Sequence, residues 1–155
     1  MYPGHHAQDT PDKAAIIMAG SGETLTYREL EARANQLANL FRSRGLAPGD
    51  HIALFMENHV EMIVAMSAAE RCGLFYTPVN SFLSAAEAAY IVNDSLSQLV
   101  VTTAAKFEVA GRLPALCPAV TSWLLVDADE IGTAVPAPYE PLADALAGID
   151  STPGT

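Results

Sequence analysis

Thr24–Ser95 reads TLTYRELEARANQLANLFRSRGLAPGDHIALFMENHVEMIVAMSAAERCGLFYTPVNSFLSAAEAAYIVNDS, and its punctuation decides the fold class. Three short polar residues each stand three positions before a glutamate: Thr26 before Glu29, Asn58 before Glu61 and Ser84 before Glu87. That is the spacing of a capping box. The cap side chain accepts from an N–H of the first helical turn, and the carboxylate reaches back to the cap's own N–H. After the first cap, Leu30, Ala34, Leu37 and Phe41 recur at helical spacing, with Glu31, Arg33, Gln36 and Arg42 mostly on the other side. Gly45 ends this helix, Arg42 and Arg44 suit its negative end, and Pro48 prevents its resumption. His51 to Met56 is an apolar run of strand length. A second helix is expected over Val60–Cys72, stopped by Gly73. A strand follows over Leu74–Thr77, with Pro78 marking its exit from the sheet, and then a third helix over about Ala85–Asn93.

Working outward, Ala14–Met18 reads as a strand, and Gly20-Ser21-Gly22 as the turn of a hairpin into Glu23–Leu25. Leu99–Thr102 is a further buried strand, Ala104–Leu116 a fourth helix and Trp123–Val126 the last strand. Strands that alternate with helices imply parallel pairing, because each helix carries the chain back across a sheet face. The expected fold is therefore α/β, a mostly parallel sheet plus an N-terminal β-hairpin, occupying residues 1–131. From residue 132 to 155 the pattern dissolves into Pro136, Pro138, Pro141 and Pro153 among small and acidic residues. That stretch reads as a mostly irregular linker toward a further subdomain, with one short helix over Pro141–Ala147.

The chain has 155 residues, half of them apolar, which suffices for one domain that buries ~70% of its unfolded surface. No uninterrupted apolar run of about 18 residues is present, so no membrane span is expected. The opening Met1-Tyr2-Pro3-Gly4-His5-His6 lacks the basic flank and apolar stretch of a secretory signal. Cys72 and Cys117 read as buried free thiols, in keeping with a cytoplasmic protein. The net charge is −10, and Asp127, Asp129, Glu130, Glu140, Asp144 and Asp150 all follow the last basic residue, Arg112. Repulsion from phosphate argues against nucleic acid as a partner.

Candidate sites are few. Gly20-Ser21-Gly22 follows a strand, but a dinucleotide fingerprint needs a third glycine where Leu25 stands. Neither a GxxxxGK[ST] phosphate loop nor a GxSxG nucleophile elbow occurs. His5, His6, His51 and His59 lack the paired spacing of a zinc site, so no metal site is expected. Glu29, Glu61 and Glu87 are explained as residues of helix N-termini, and Met56, Met62 and Met66 as core. There remains the loop Asn80-Ser81-Phe82, which leaves the carboxyl end of a strand, where ligands gather in open α/β sheets.

The words themselves carry a resemblance. Leu25-Thr26-Tyr27-Arg28-Glu29-Leu30 is followed by Gly49-Asp50-His51-Ile52-Ala53 with Asn58 and Glu61. Arg71, Gly73, Pro78, Val79 and Asn80 come next, then Glu87, Tyr90, Ile91, Asp94 and Ser95. In that order and spacing the chain resembles the N-terminal part of AMP-forming adenylating enzymes, and acyl-CoA synthetases among them. Asn80, where amino-acid-activating relatives usually carry Asp, tilts the resemblance toward acid–CoA ligases. It implies a parent enzyme that uses ATP and magnesium to turn a fatty or other carboxylic acid into an acyl-adenylate, which the CoA thiol then attacks. It also implies that Asn80, Ser81 and Phe82 lie near the CoA approach. The family's phosphate loop, adenine site and mobile lysine fall beyond the matched words, so catalytic residues are not assigned and the 155-residue chain alone is expected to be inactive. Ser151-Thr152-Pro153-Gly154-Thr155 lacks the spacing and lysine of that phosphate loop. Self-association through a sheet edge or apolar face is expected and is checked by light scattering. The alternatives are a short non-catalytic binding or scaffold protein of this fold and an unrelated nucleotide-binding α/β domain.

Overall fold

A computed structural model describes residues 3–154. A short helix α1 (Pro3–Asp9) precedes a hairpin of β1 (Ala14–Ile17) and β2 (Thr24–Thr26), paired antiparallel. There follow α2 (Tyr27–Ser43), β3 (His51–Phe55), α3 (Val60–Cys72), β4 (Phe75–Val79), α4 (Ala85–Asp94) and β5 (Ser97–Thr103). The chain closes with α5 (Phe107–Ala110), β6 (Ser122–Val126), β7 (Tyr139–Pro141) and α6 (Leu142–Ala145). Strands β3 to β7 form one sheet in the order β4-β3-β5-β6-β7, and every pairing in it is parallel. The hairpin is a separate two-stranded sheet.

Side-chain alternation along each strand divides the core in two. Ile52, Leu54, Leu99, Val101, Leu124 and Val126 face the layer of α2 and α3, where they meet Leu37, Phe41, Val64 and Ala68. Ala53, Phe55, Val100, Trp123 and Leu125 face the opposite layer, packing with Ala85, Ala88 and Val92 of α4 and with Ala110 and Leu113. A parallel sheet covered on both faces needs such continuously apolar strands.

Two of the three expected capping boxes form. The Thr26 N–H and hydroxyl both donate to Glu29 Oε2 (2.8 and 2.7 Å), and the Glu29 N–H donates to Thr26 Oγ1 at 3.3 Å. Ser84 and Glu87 repeat the pattern at 2.9, 2.7 and 3.4 Å. The third box is corrected. His59, not Asn58, caps α3, its Nδ1 accepting the Glu61 N–H at 3.1 Å. The Glu61 carboxylate turns away and pairs with Arg33 of α2. A buried carboxylate at the α2–α3 contact needs a cation more than it needs a cap N–H. At the other end of α2, Gly45 adopts φ 84°. Its N–H bonds to Arg42 O and the Leu46 N–H to Phe41 O, which makes a Schellman stop.

Hydrogen bonds from Thr26 hold the Glu29 carboxyl below its ordinary value of 4.5, and those from Ser84 do the same for Glu87. A depressed folded value means that this stabilisation is present above pH 4.5 and is lost as pH falls through the folded value. Thr26→Ala should cost about 1 kcal/mol at pH 7. The deficit should shrink in acid, as urea melts across pH 3–7 will show.

Three further expectations change. Pro78 lies inside β4 rather than beyond it; β4 is an edge strand, where a missing N–H costs the ladder nothing. The helix expected over Ala104–Leu116 is broken into 3₁₀ turns at Ala104–Lys106 and Leu113–Ala115 around the single turn α5. Gly111 follows α5 directly, and Pro114 inside the second 3₁₀ turn brings no N–H. Finally, the stretch expected to be mostly irregular contributes the three-residue strand β7 to the sheet. Beyond β7 the chain docks on α2: Gln36 Nε2 donates to Leu146 O and Ile149 O, and Asn39 Nδ2 to Asp150 O and Thr152 O. The short helix expected there is α6.

Candidate functional site at the carboxyl ends of the strands

From β3 the chain moves outward to β4, then crosses back over to β5 on the far side of β3. The point where the winding reverses therefore lies between the carboxyl ends of β3 and β5, the place where sheets of this kind bind ligands. Two buried threonines at the end of β5 secure it. The Thr102 hydroxyl donates to Phe55 O at 2.6 Å, and the Thr103 hydroxyl to Glu57 Oε2 at 2.5 Å. A second tie spans β5: His59 Nε2, after β3, lies 3.0 Å from Asp127 Oδ2, after β6.

Asn80, Ser81 and Phe82 leave the carboxyl end of β4 beside this edge. Asn80 Oδ1 accepts the Phe82 N–H at 3.0 Å and Asn80 O accepts the Leu83 N–H at 3.2 Å. This Asx turn delivers the chain to the Ser84 cap and holds the Phe82 ring outward, 90% exposed. Lys106 Nζ, from the turn after β5, stands 5.1 Å from the ring centroid. An aromatic face beside an ammonium suits a ligand with a flat ring and anionic groups. Two open cavities flank the edge. One, of about 700 Å³, lies between the hairpin and the start of α3 and is lined by Ile17, Ser21, Asn58, His59 and Met62. The other, of about 510 Å³, is lined by Leu125, Asp127, Asp129, Val135 and Asp144.

The structure thus places the expected loop at the expected end of the sheet and adds Glu57, Thr103, His59, Asp127 and Lys106. Only the position of Glu57 and His59 directly after a strand hints at them in the sequence. Gly20-Ser21-Gly22 is a hairpin turn, with the Gly22 N–H bonded to Met18 O at 2.8 Å. Of the segment Ser151–Thr155, Thr155 lies outside the described residues; Thr152 N–H closes on Asp150 Oδ1 at 2.8 Å, against α2. Among the described residues no group of three His, Cys, Asp or Glu side chains is placed to hold a metal ion. Cys72 and Cys117 are buried and free, and burial pushes both thiols up, away from reactivity. No helix among the described residues is long and apolar enough to cross a membrane.

Residues 4–150 match the family model described as AMP-binding enzyme. Tyrocidine synthase 3 of Brevibacillus parabrevis is 38% identical over 96 residues, covering 62% of this chain and 1% of that protein. Gramicidin S synthase 2 of Brevibacillus brevis is 33% identical over 105 residues, 68% of this chain and 2% of that protein. A fatty acyl CoA synthetase of Mycobacterium tuberculosis superposes with a TM-score of 0.83 at 26% identity, covering 99% of this chain and 29% of that one. The chain thus spans less than a third of these relatives' lengths. A family match over nearly the whole chain, on the α/β frame that the motif order implied, leads to one conclusion: this chain belongs to the AMP-binding enzyme family and carries the N-terminal α/β fold of adenylate-forming ligases.

Proposed function

We propose that this chain is the N-terminal part of an ATP-dependent acid–thiol ligase. The parent enzyme condenses a carboxylic acid with ATP to an acyl-adenylate and pyrophosphate, and CoA thiol then displaces AMP to give the thioester. The observation that carries this reading is the loop after β4, where an Asx turn presents Phe82 to solvent beside Lys106. An adenine ring stacks on such a face, and an ammonium beside it attracts phosphate. Asn80 and Ser81 set the turn that aims the ring. Support from the comparisons is the superposition of nearly the whole chain on a fatty acyl CoA synthetase.

The role of this chain is to frame and position rather than to break bonds, and alone it should form no AMP from ATP, a fatty acid and CoA. In the complete ligase, Phe82→Ala should raise KM for CoA about tenfold, the loss of one base–aromatic stack, while acid-dependent pyrophosphate exchange stays unchanged. An unaltered KM for CoA, or AMP release by the isolated chain, would overturn the respective claim. A second reading has its own support: the tyrocidine and gramicidin S synthases are 38% and 33% identical to this chain over the matched residues. On that reading the acid is an amino acid and the acceptor thiol belongs to a carrier protein. Pyrophosphate exchange driven by amino acids and not by fatty acids would favour it.

A further inference from the structure

One imidazole at the carboxyl edge has both nitrogens committed. The Glu61 backbone N–H donates to His59 Nδ1 at 3.1 Å. An amide N–H can only donate, so Nδ1 carries no proton. Nε2 lies 3.0 Å from Asp127 Oδ2, and a carboxylate accepts, so the proton sits on Nε2. His59 is therefore a neutral Nε2–H tautomer that closes the N-terminus of α3 with one nitrogen and grips Asp127 with the other. Asp127 needs the grip. It opens the 3₁₀ turn Ala128–Ile131 with φ 53° and ψ 40°, the left-handed region, which costs a residue with a Cβ and persists where surrounding contacts hold it.

That turn leads to the loop after β4. It contacts the turn Ala104–Lys106, which carries the Lys106 ammonium. Its Ala128 and Ile131 join Leu83 and Phe107 against the apolar cluster beneath α4. Leu83 is the neighbour of Phe82 and Phe107 the neighbour of Lys106. We propose that His59 is a positioning residue for the Phe82–Lys106 surface, acting through Asp127 and the turn that follows it. The proposal rests on the reading of that surface as the docking site of the thiol acceptor.

Imidazole nitrogen NMR of the 155-residue chain at pH 7 should show His59 protonated at Nε2. His59→Asn keeps a side chain that caps α3 but cannot reach Asp127. Amide exchange at residues 104–107 and 128–132 should then rise about fivefold, as expected for losing one partly exposed hydrogen bond to a carboxylate, while α3 is spared. Asp127→Asn retains an acceptor oxygen and should preserve protection at both turns, whereas Asp127→Ala should lose it. In the complete ligase, His59→Asn should raise KM for CoA about fivefold without slowing pyrophosphate exchange. A proton on Nδ1, or unchanged exchange in His59→Asn, would overturn the proposal. So would a KM for CoA that responds to Phe82→Ala and not to His59→Asn. If neither variant moves that KM, the acceptor reading of the surface itself fails.

Discussion

Tyr139→Ala will lower the stability of this chain by about 3–5 kcal/mol, in the range for emptying a buried aromatic site. Tyr139 lies on β7 opposite Trp123 of β6 and is 5% exposed. Its ring meets Trp123 and Phe107 edge-on, with centroids 5.3 and 5.2 Å away. The phenol donates to Ala110 O at 2.9 Å, so truncation also strands a buried carbonyl. A native domain is stable by only about 5–15 kcal/mol, so urea melts of the variant should begin at markedly lower denaturant. A loss below about 1 kcal/mol would mean that β7 is an appendage and not part of the core. The same residue sets an alkaline limit. Burial first, and Cys117 second, push the phenol well above its ordinary value of 10. Because the folded value is the higher one, this contribution is complete below pH 10 and is lost as pH rises past it. Tyr139→Phe should cost about 1 kcal/mol at pH 7, for the hydrogen bond. Its deficit relative to the parent should narrow above pH 10.

The second large effect is expected at Phe55, which is fully buried at the carboxyl end of the interior strand β3. It packs in the cluster that carries α4, whose contributions there are the small residues Ala85, Ala88 and Ala89 with Val92. Alanines on a helix cannot lean into a void left by a phenyl ring. Phe55→Ala should therefore cost about 3–5 kcal/mol and lower Tm by roughly 10 °C. Calorimetry of the variant decides it. Met56, the next residue, is also buried but belongs to the opposite cluster, so its truncation should leave the α4 layer undisturbed.

What is legible in the sequence follows the range of the forces involved. Helices α2, α3 and α4 can be bounded to within a residue because most of their starts and stops are local: a Ser or Thr three positions before Glu at α2 and α4, and a glycine after α2 and α3. The cap of α3 is the exception. There an imidazole nitrogen serves as acceptor, and a glutamate at the capping position is drawn to Arg33. The break in residues 104–116 is written in Gly111 and Pro114, which outweigh the apolar spacing of that stretch. In the candidate site, Asn80–Phe82 can be found because an Asx turn between a strand and a cap is local. The pairs Glu57–Thr103 and His59–Asp127 cannot, since their members stand 46 and 68 residues apart.

By itself, then, the amino-acid order of this protein determined its α/β class, its hairpin, its parallel pairing and its family, because caps, turn glycines and apolar runs act over a few residues. Only the tertiary structure decided that Tyr139–Pro141 would become a strand, that the chain after α6 would lie on α2, and that His59 would reach Asp127. A three-residue strand has no periodicity of its own. It forms because β6 offers an open ladder and Tyr139 finds a place among Trp123 of β6 and Phe107 and Ala110 of the layer beneath. Such contacts are specified by where the sheet brings distant segments together, and no local pattern encodes that.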